Sequence, residues 1–357
     1  MYLGPLFPPL SLVGLLLRGS TVTTTVPGTM VSVIIPVHNG ERTIEKCIKS
    51  VKSQSLRPFE IIVVDDYSTD KTSFILGRLS ERISNLKVIR NEKNLGKAAS
   101  VERGLEHVHS PYVAIVDSDT YLDRDYFKNI LGSFIKGVVG ASGTVLPAED
   151  RGEISKSRLI EYLQSQSTYK KIQTHMGAVF VCPGCCSVWR TEWIKKNGIP
   201  KETVVEDMDL TWEAQIDGGK IAYVPEALAY TEEPENFRRY IRQISRWLSW
   251  RPVLEKHSKR MTNGLKIMIS WMLAESVGYV IWMGLLLYFL LSGMIISSLI
   301  LLFIDLSIIT FVCIYQGSKI NIPIRKIISS LPYYYAFRMP TAIIFWKSFF
   351  SPKRNGW

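Results

Sequence analysis

The chain has 357 residues, enough for one large α/β domain and a membrane segment but tight for two equal catalytic domains, since single cores stop growing near about 250 to 300 residues. Its formal charge of +11 is concentrated: from Asn236 to Lys266 stand nine basic residues (Arg238, Arg239, Arg242, Arg246, Arg251, Lys256, Lys259, Arg260, Lys266) against Glu255 alone, a net +8. This stretch precedes the first long apolar run, so the charge reads as a lipid-facing cytoplasmic collar and excludes nucleic acid as the partner.

Residues 1–29 are apolar but broken by Pro5, Pro8 and Pro9, lack a basic leader, and are expected to be a disordered or mis-assigned extension. Residues 30–235 alternate short β-branched runs with helical patterns, the mark of a mostly parallel sheet wound with helices. Strands are predicted over Val31–Pro36, Glu60–Asp65, Leu86–Arg90 and Tyr112–Asp117, with helices near Glu41–Ser53, Asp70–Ile83, Gly96–Val108 and Arg124–Ile135. Two of the four strands end in aspartate, and ligands of such sheets bind outside the carboxyl ends of the strands. After Val145 the pattern becomes mixed, with short strands over Ile221–Val224 and Ala227–Tyr230.

The five cysteines are odd in number and mostly precede the apolar runs, which argues against a disulfide framework. Cys182-x-x-Cys185 has no second pair at zinc spacing, so packing of small residues in a tight loop accounts for it.

Residues 236–266 are expected to form basic amphipathic interfacial helices. Residues 267–315 read as a transmembrane hairpin: 25 residues from Ile267 to Leu291 suffice for a hydrocarbon core of about 30 Å, and a second run covers Met294–Tyr315. The basic loop after it should return to the cytoplasm. Within 316–357, Ile327–Phe350 contains Pro332, Arg338, Pro340 and Lys347 and is expected to be interfacial or re-entrant, a third span being the alternative. Glu275 and Asp305 lie inside the spans and must form a buried polar pair, sit near a helix end or line a polar conduit.

Five acidic or cationic groupings carry chemistry. Asp117-Ser118-Asp119 ends a strand, and two hard carboxylates suit Mg²⁺ or Mn²⁺ on a diphosphate. Asp65-Asp66 is a second strand-end pair, able to accept from a uracil imide or to cap the next helix. The Asn91–Lys97 turn offers a glycine, amides and a lysine to phosphate. Glu206-Asp207-Met-Asp209 gathers three carboxylates whose repulsion can raise a pKa toward that of a general base, or which complement a helix N-terminus. Gln243-x-x-Arg246-Trp247 shares one helix face, suiting a leaving diphosphate and a sugar ring, or an interfacial anchor.

Together these residues resemble the family 2 glycosyltransferases, especially the processive membrane synthases of cellulose, hyaluronan, chitin and poly-N-acetylglucosamine. The resemblance runs from Val31 to about Trp250 and implies a GT-A-type α/β domain, a nucleotide-diphosphate sugar donor, a UDP-sugar above all, and an inverting hexosyl or N-acetylhexosaminyl transfer to a β-linked glycan. It implies that Pro36, Asn39, Asp65, Asp66, Lys97, Asp117 and Ser118 hold the nucleotide sugar and that Asp117 and Asp119 hold Mg²⁺ or Mn²⁺. Gly184, Cys185, Cys186, Glu206, Gln243, Arg246 and Trp247 would shape the acceptor and diphosphate side, with Asp207 the catalytic base. Val205 stands where that family has threonine. Full-sized synthases carry more spanning helices, so an additional membrane subunit, a homo-oligomer or short products enter the expectation. Single transfer to a polyprenyl phosphate or another lipid is the alternative within the same chemistry, and a catalytically silent membrane scaffold the alternative outside it. The expected location is the cell membrane, multi-pass, with the catalytic domain cytoplasmic.

Overall fold

The computed structural model describes residues 29–149 and 152–351, so the expectation for the amino-terminal extension lies almost wholly outside the described residues. The chain opens with β1 (Val31–Val37), α1 (Ile44–Lys52), β2 (Glu60–Asp65), α2 (Thr72–Ser80), β3 (Leu86–Arg90), α3 (Lys97–Leu105) and β4 (Tyr112–Val116). It continues through β5 (Thr120–Leu122), α4 (Tyr126–Leu131), β6 (Val138–Pro147), α5 (Glu153–Gln164), a π-helical turn (Ser165–Tyr169) and α6 (Lys170–His175). Next come β7 (Cys186–Arg190), α7 (Thr191–Asn197), α8 (Glu206–Ile216) and β8 (Lys220–Thr231). The last helices are α9 (Phe237–Trp247), α10 (Arg251–His257), α11 (Asn263–Leu291), α12 (Ile295–Lys319) and α13 (Ile324–Phe350).

The eight strands make one sheet in the order β3-β2-β1-β4-β7-β6-β8-β5. The amino-terminal half is parallel throughout, with β1 between β2 and β4, while β7 enters antiparallel to β4 and β6. All seven residues of β1 are buried because helices cover both faces, which explains an unbroken apolar run where a half-exposed strand would alternate. Helix α1 buries Ile44, Cys47, Ile48 and Val51, one stripe at helical spacing, on one of these faces.

The four amino-terminal strands form where they were predicted, except that the fourth stops one residue short of Asp117. Strands β5, β6 and β7 were not expected. The two short carboxyl-terminal runs join into β8 because Pro225, which has no N–H to give, sits where the β6 register shifts between Ser142 and Thr144. Gly143 lies in that shift, and a Cβ there would fall 1.9 Å from the Ala227 carbonyl oxygen.

Among the described residues, α11 and α12 are long and apolar enough to cross a membrane, and a short turn joins them. Their outer faces expose Leu285, Leu287, Leu291, Ile296, Leu299 and Phe303. Ile327–Phe350 lies within one continuous helix, α13, whose 27 residues extend about 40 Å and which packs against α5 and α9, with Tyr334 bonded to Gln164 and Thr341 to Tyr240. Its buried Arg338 is satisfied by Asp305 of α12 at 2.6 Å and lies over the Tyr279 and Trp282 rings of α11, so the charge does not interrupt the helix. Glu275 and Asp305 are both buried but do not pair with each other: Tyr169 donates to Glu275 at 2.6 Å, and Tyr335 joins Arg338 on Asp305. The five cysteines are free.

Candidate active site

The carboxyl ends of β1, β2 and β4 open on one cavity of ≈ 350 Å³. Pro36, Val37 and His38 line it from β1, Asp66 follows β2, and Asp117, Ser118 and Asp119 follow β4. The opposite wall consists of Pro183, Gly184 and Cys185 before β7, Val205, Glu206 and Asp207 at the start of α8, and Gln243, Arg246 and Trp247 on α9.

The end of the cavity beside β1 and β2 is built by backbone turns. Asp66 is nearly fully buried; its Oδ1 accepts from Asn91 Nδ2 at 2.7 Å and from the Leu95 amide at 2.8 Å, and its Oδ2 from the Gly96 amide at 2.8 Å. The carboxylate therefore pins the turn that feeds α3. Gly96 takes a φ of 85°, a conformation that disfavours side chains, and the next residue is Lys97.

Lys97 reaches across the cavity, its Nζ 2.6 Å from Asp117 Oδ1 and 3.6 Å from Glu206 Oε1. Burial alone would lower its pKa, but the Asp117 and Glu206 carboxylates outweigh that and hold it above the usual lysine range. Asp119 is pushed up to about 7 by burial and by the neighbouring Asp117 carboxylate, with Lys97 opposing. Burial likewise raises Glu206, and the Asp207 charge adds to it against Lys97. Five carboxylates (Asp66, Asp117, Asp119, Glu206 and Asp207) thus line the cavity with three cations (Lys97, Lys170 and Arg246), an excess of two negative charges when all are ionised. Two hard carboxylates beside such an excess suit a divalent cation in their chemistry, while no three acidic, histidine or cysteine side chains group together to hold a metal ion among the described residues.

Asp207 occupies the first turn of α8, where the helix dipole favours a carboxylate. Its Oδ2 accepts from the Gly184 amide at 3.0 Å and its Oδ1 from the Met208 amide at 2.8 Å. These two amides hold the carboxylate without a hydroxyl at Val205. Asp209 turns away and binds His257 Nε2 at 2.7 Å and Lys256 at 3.1 Å, so the acidic triplet contributes two members to the cavity.

Three further expected site residues do not line the cavity. Asp65 accepts from the Ser68 amide and the Ser73 hydroxyl, acting on its own turn. Asn39 spends its side-chain oxygen on the Thr69 amide at 2.8 Å, clamping the loop after β1 to the loop after β2. Cys186 is fully buried at the start of β7, where its carbonyl oxygen accepts from the Tyr126 hydroxyl, and it does not line the cavity. Pro36, Asp66, Lys97, Asp117, Ser118, Asp119, Gly184, Cys185, Glu206, Asp207, Gln243, Arg246 and Trp247 all converge.

Sequence reasoning missed the floor, made by Tyr162, Ser165, Gln166, Lys170 and Gln173 from α5, the π-turn and α6. A run of Ser and Gln with two lysines carries no pattern that separates it from an exposed helix, yet these side chains are buried. Lys170 is pulled down by burial and has Ser142 Oγ at 3.4 Å.

A mixed sheet whose parallel strands end in carboxylates around one cleft, with a helix bearing Gln, Arg and Trp beside it, defines a GT-A-like α/β domain. Residues 32–198 match the model of Glycosyl transferase family 2, and the chain carries a domain of that family. An N-acetylglucosaminyltransferase of Azorhizobium caulinodans is 30% identical over 232 residues, 61% of this chain and 58% of that protein. A poly-beta-1,6-N-acetyl-D-glucosamine synthase of Staphylococcus epidermidis is 26% identical over 220 residues, 61% of this chain and 53% of that one. The chain thus spans a little over half the length of these curated relatives. A mannosyltransferase from Pyrobaculum calidifontis, solved with GDP-Man and Mn²⁺, shares the fold over 96% of this chain and 93% of its own, with a TM-score of 0.63 at 15% identity.

Proposed function

We propose that this chain transfers a sugar, with inversion, from a UDP-sugar to a growing β-linked glycan at the cytoplasmic face of a membrane. The observation that carries this reading is the convergence of Asp66, Asp117, Asp119, Asp207 and Trp247 on one cavity, although they are spread over 180 positions of sequence. Asp66 holds the uracil side, and Lys97 and the turn before it face the diphosphate. Asp117 and Asp119 would hold Mg²⁺ or Mn²⁺, which neutralises charge on the departing diphosphate when bound.

Asp207 takes the proton of the acceptor hydroxyl as that oxygen forms its bond to the anomeric carbon. The bond from that carbon to the diphosphate breaks on the opposite face and the electron pair leaves with UDP, so an α-linked donor gives a β-linked product. Arg246 steadies the diphosphate and Trp247 gives a flat face for the acceptor sugar. The hairpin α11–α12 spans the bilayer, and α9, α10 and α13 lie at the lipid interface.

Single transfer to a lipid-linked acceptor is the second reading. It is favoured by the floor of the cavity lying against the membrane helices, with the π-turn residue Tyr169 bonded to Glu275 of α11. The test is to incubate the purified chain in lipid nanodiscs with a panel of UDP- and GDP-sugars and Mn²⁺ or Mg²⁺, measure nucleotide release, and size the product. The expected result is metal-dependent UDP release with a polymeric or oligomeric product. One sugar extracting into organic solvent selects the second reading, and no release from any donor rejects both.

A further inference from the structure

Behind Gln243 and Trp247, outside the lining of the cavity, lies a fully buried arginine to which the sequence assigned no role. Arg158 of α5 donates from Nη1 to both oxygens of Glu161, at 2.9 and 2.8 Å, and from Nη2 to Gln243 Oε1 at 3.2 Å. Its Nε lies 3.4 Å from Glu233 Oε2, and the other oxygen of Glu233 accepts from the Tyr162 hydroxyl at 2.8 Å. The guanidinium stacks 4.9 Å from the Trp247 ring centroid and 4.8 Å from that of Tyr240. Three residues that line the cavity, Tyr162, Gln243 and Trp247, are therefore tied to one cation, directly or through Glu233.

Stability alone is a weak reason for such a cluster, because buried ion pairs are often no better than apolar side chains of the same volume. Geometry is a stronger one. A guanidinium only donates, so it accepts nothing from the Gln243 amide and fixes which end faces it. The carboxamide must turn its oxygen to Arg158, which leaves its Nε2 as a donor for a ligand. The same cation covers one face of the Trp247 indole, so a sugar ring must stack on the other.

We propose that Arg158 is the positioning residue of the acceptor subsite: it orients Gln243 to donate to an acceptor-sugar oxygen and leaves one face of Trp247 for that ring. The proposal rests on the transferase reading above and names what the subsite recognises, a neutral sugar presenting an oxygen acceptor. A lysine in its place keeps the charge but not the fork of donors or the planar stack.

The test uses the full chain in nanodiscs and two readouts, donor hydrolysis to water and transfer to a glycan acceptor. Arg158→Gln should raise the acceptor KM about tenfold or more, from loss of a charged hydrogen bond and a desolvated cation–π contact, with donor KM and hydrolysis within about twofold of wild type. Arg158→Lys should recover less than half of the acceptor defect. Should Arg158→Gln fail to fold because Glu161 is left unpaired, the double variant with Glu161→Gln removes that charge and should show the same selective loss. A wild-type acceptor KM in the variant that folds, or an equal fall in hydrolysis and transfer, overturns the proposal. Failure of the wild-type chain to release nucleotide from any donor overturns the transferase reading itself.

Discussion

The ammonium of Lys97 stands 2.6 Å from Oδ1 of Asp117, and through Glu206 at 3.6 Å it also touches the acidic start of α8. One side chain at the helix start after β3 thus links the strand end assigned to metal and diphosphate with the helix turn assigned to the base. Under the proposed function, the same ammonium would turn from carboxylate to phosphate when the donor binds.

Lys97→Met is expected to raise the donor KM by about tenfold or more, the scale of a charge-assisted contact to phosphate. It should also lower the metal concentration needed for half-maximal rate, because Asp117 no longer shares its charge with an ammonium. Initial rates over a grid of donor and metal concentrations separate the two effects. An unchanged donor KM would remove Lys97 from the diphosphate site.

Gly184 supplies the amide that holds Asp207, and its own Cα faces the cavity. A Cβ there would lie 2.9 Å from Lys97 Nζ and 3.4 Å from Asp207 Cβ. Gly184→Ala should therefore leave the fold intact but cut kcat by about one hundredfold, the scale of an ångström-sized misplacement of reacting groups. Steady-state rates and thermal unfolding on the same preparation check this. A kcat near wild type would mean that the Lys97 tip yields freely.

Glu233 is pushed up to about 7, mainly by burial, with the Arg158 charge and the Tyr162 hydrogen bond opposing. A buried acid with a raised pKa keeps a proton that the unfolded chain gives up, so stability falls as pH rises from about 4.5 to about 7 and levels off above. Glu233→Gln removes that dependence. Its unfolding free energy should gain on wild type between pH 5 and pH 8, by a difference on the order of 1 to 3 kcal/mol. Parallel pH profiles for the two proteins would reject the assignment.

The parallel half of the sheet was legible because burial on both faces leaves an unbroken β-branched signature, as in Val31–Val37. The later strands were not. Val138–Pro147 contains Gly140 and Gly143, demanded by close approach to Trp189 and the Ala227 carbonyl, and those glycines erase the strand pattern. Among the site residues, strand-end acids were visible as a class, but not the division of labour between neighbours. Asp65 and Asp66 differ by one position, and the pleat sends the first into its own turn and the second to the cavity. Arg158 was invisible, because burial of an arginine 85 positions from its Gln243 partner is a tertiary fact.

Asp207→Asn is the most direct measurement of the central claim, that these converging acids perform sugar transfer with Asp207 as base. Asparagine keeps the shape and can still accept from the Gly184 amide but cannot take a proton. Transfer of radiolabelled sugar should fall by about 10²- to 10⁴-fold, the usual worth of a general base, while donor KM stays near wild type. Undiminished transfer by the variant would contradict the account.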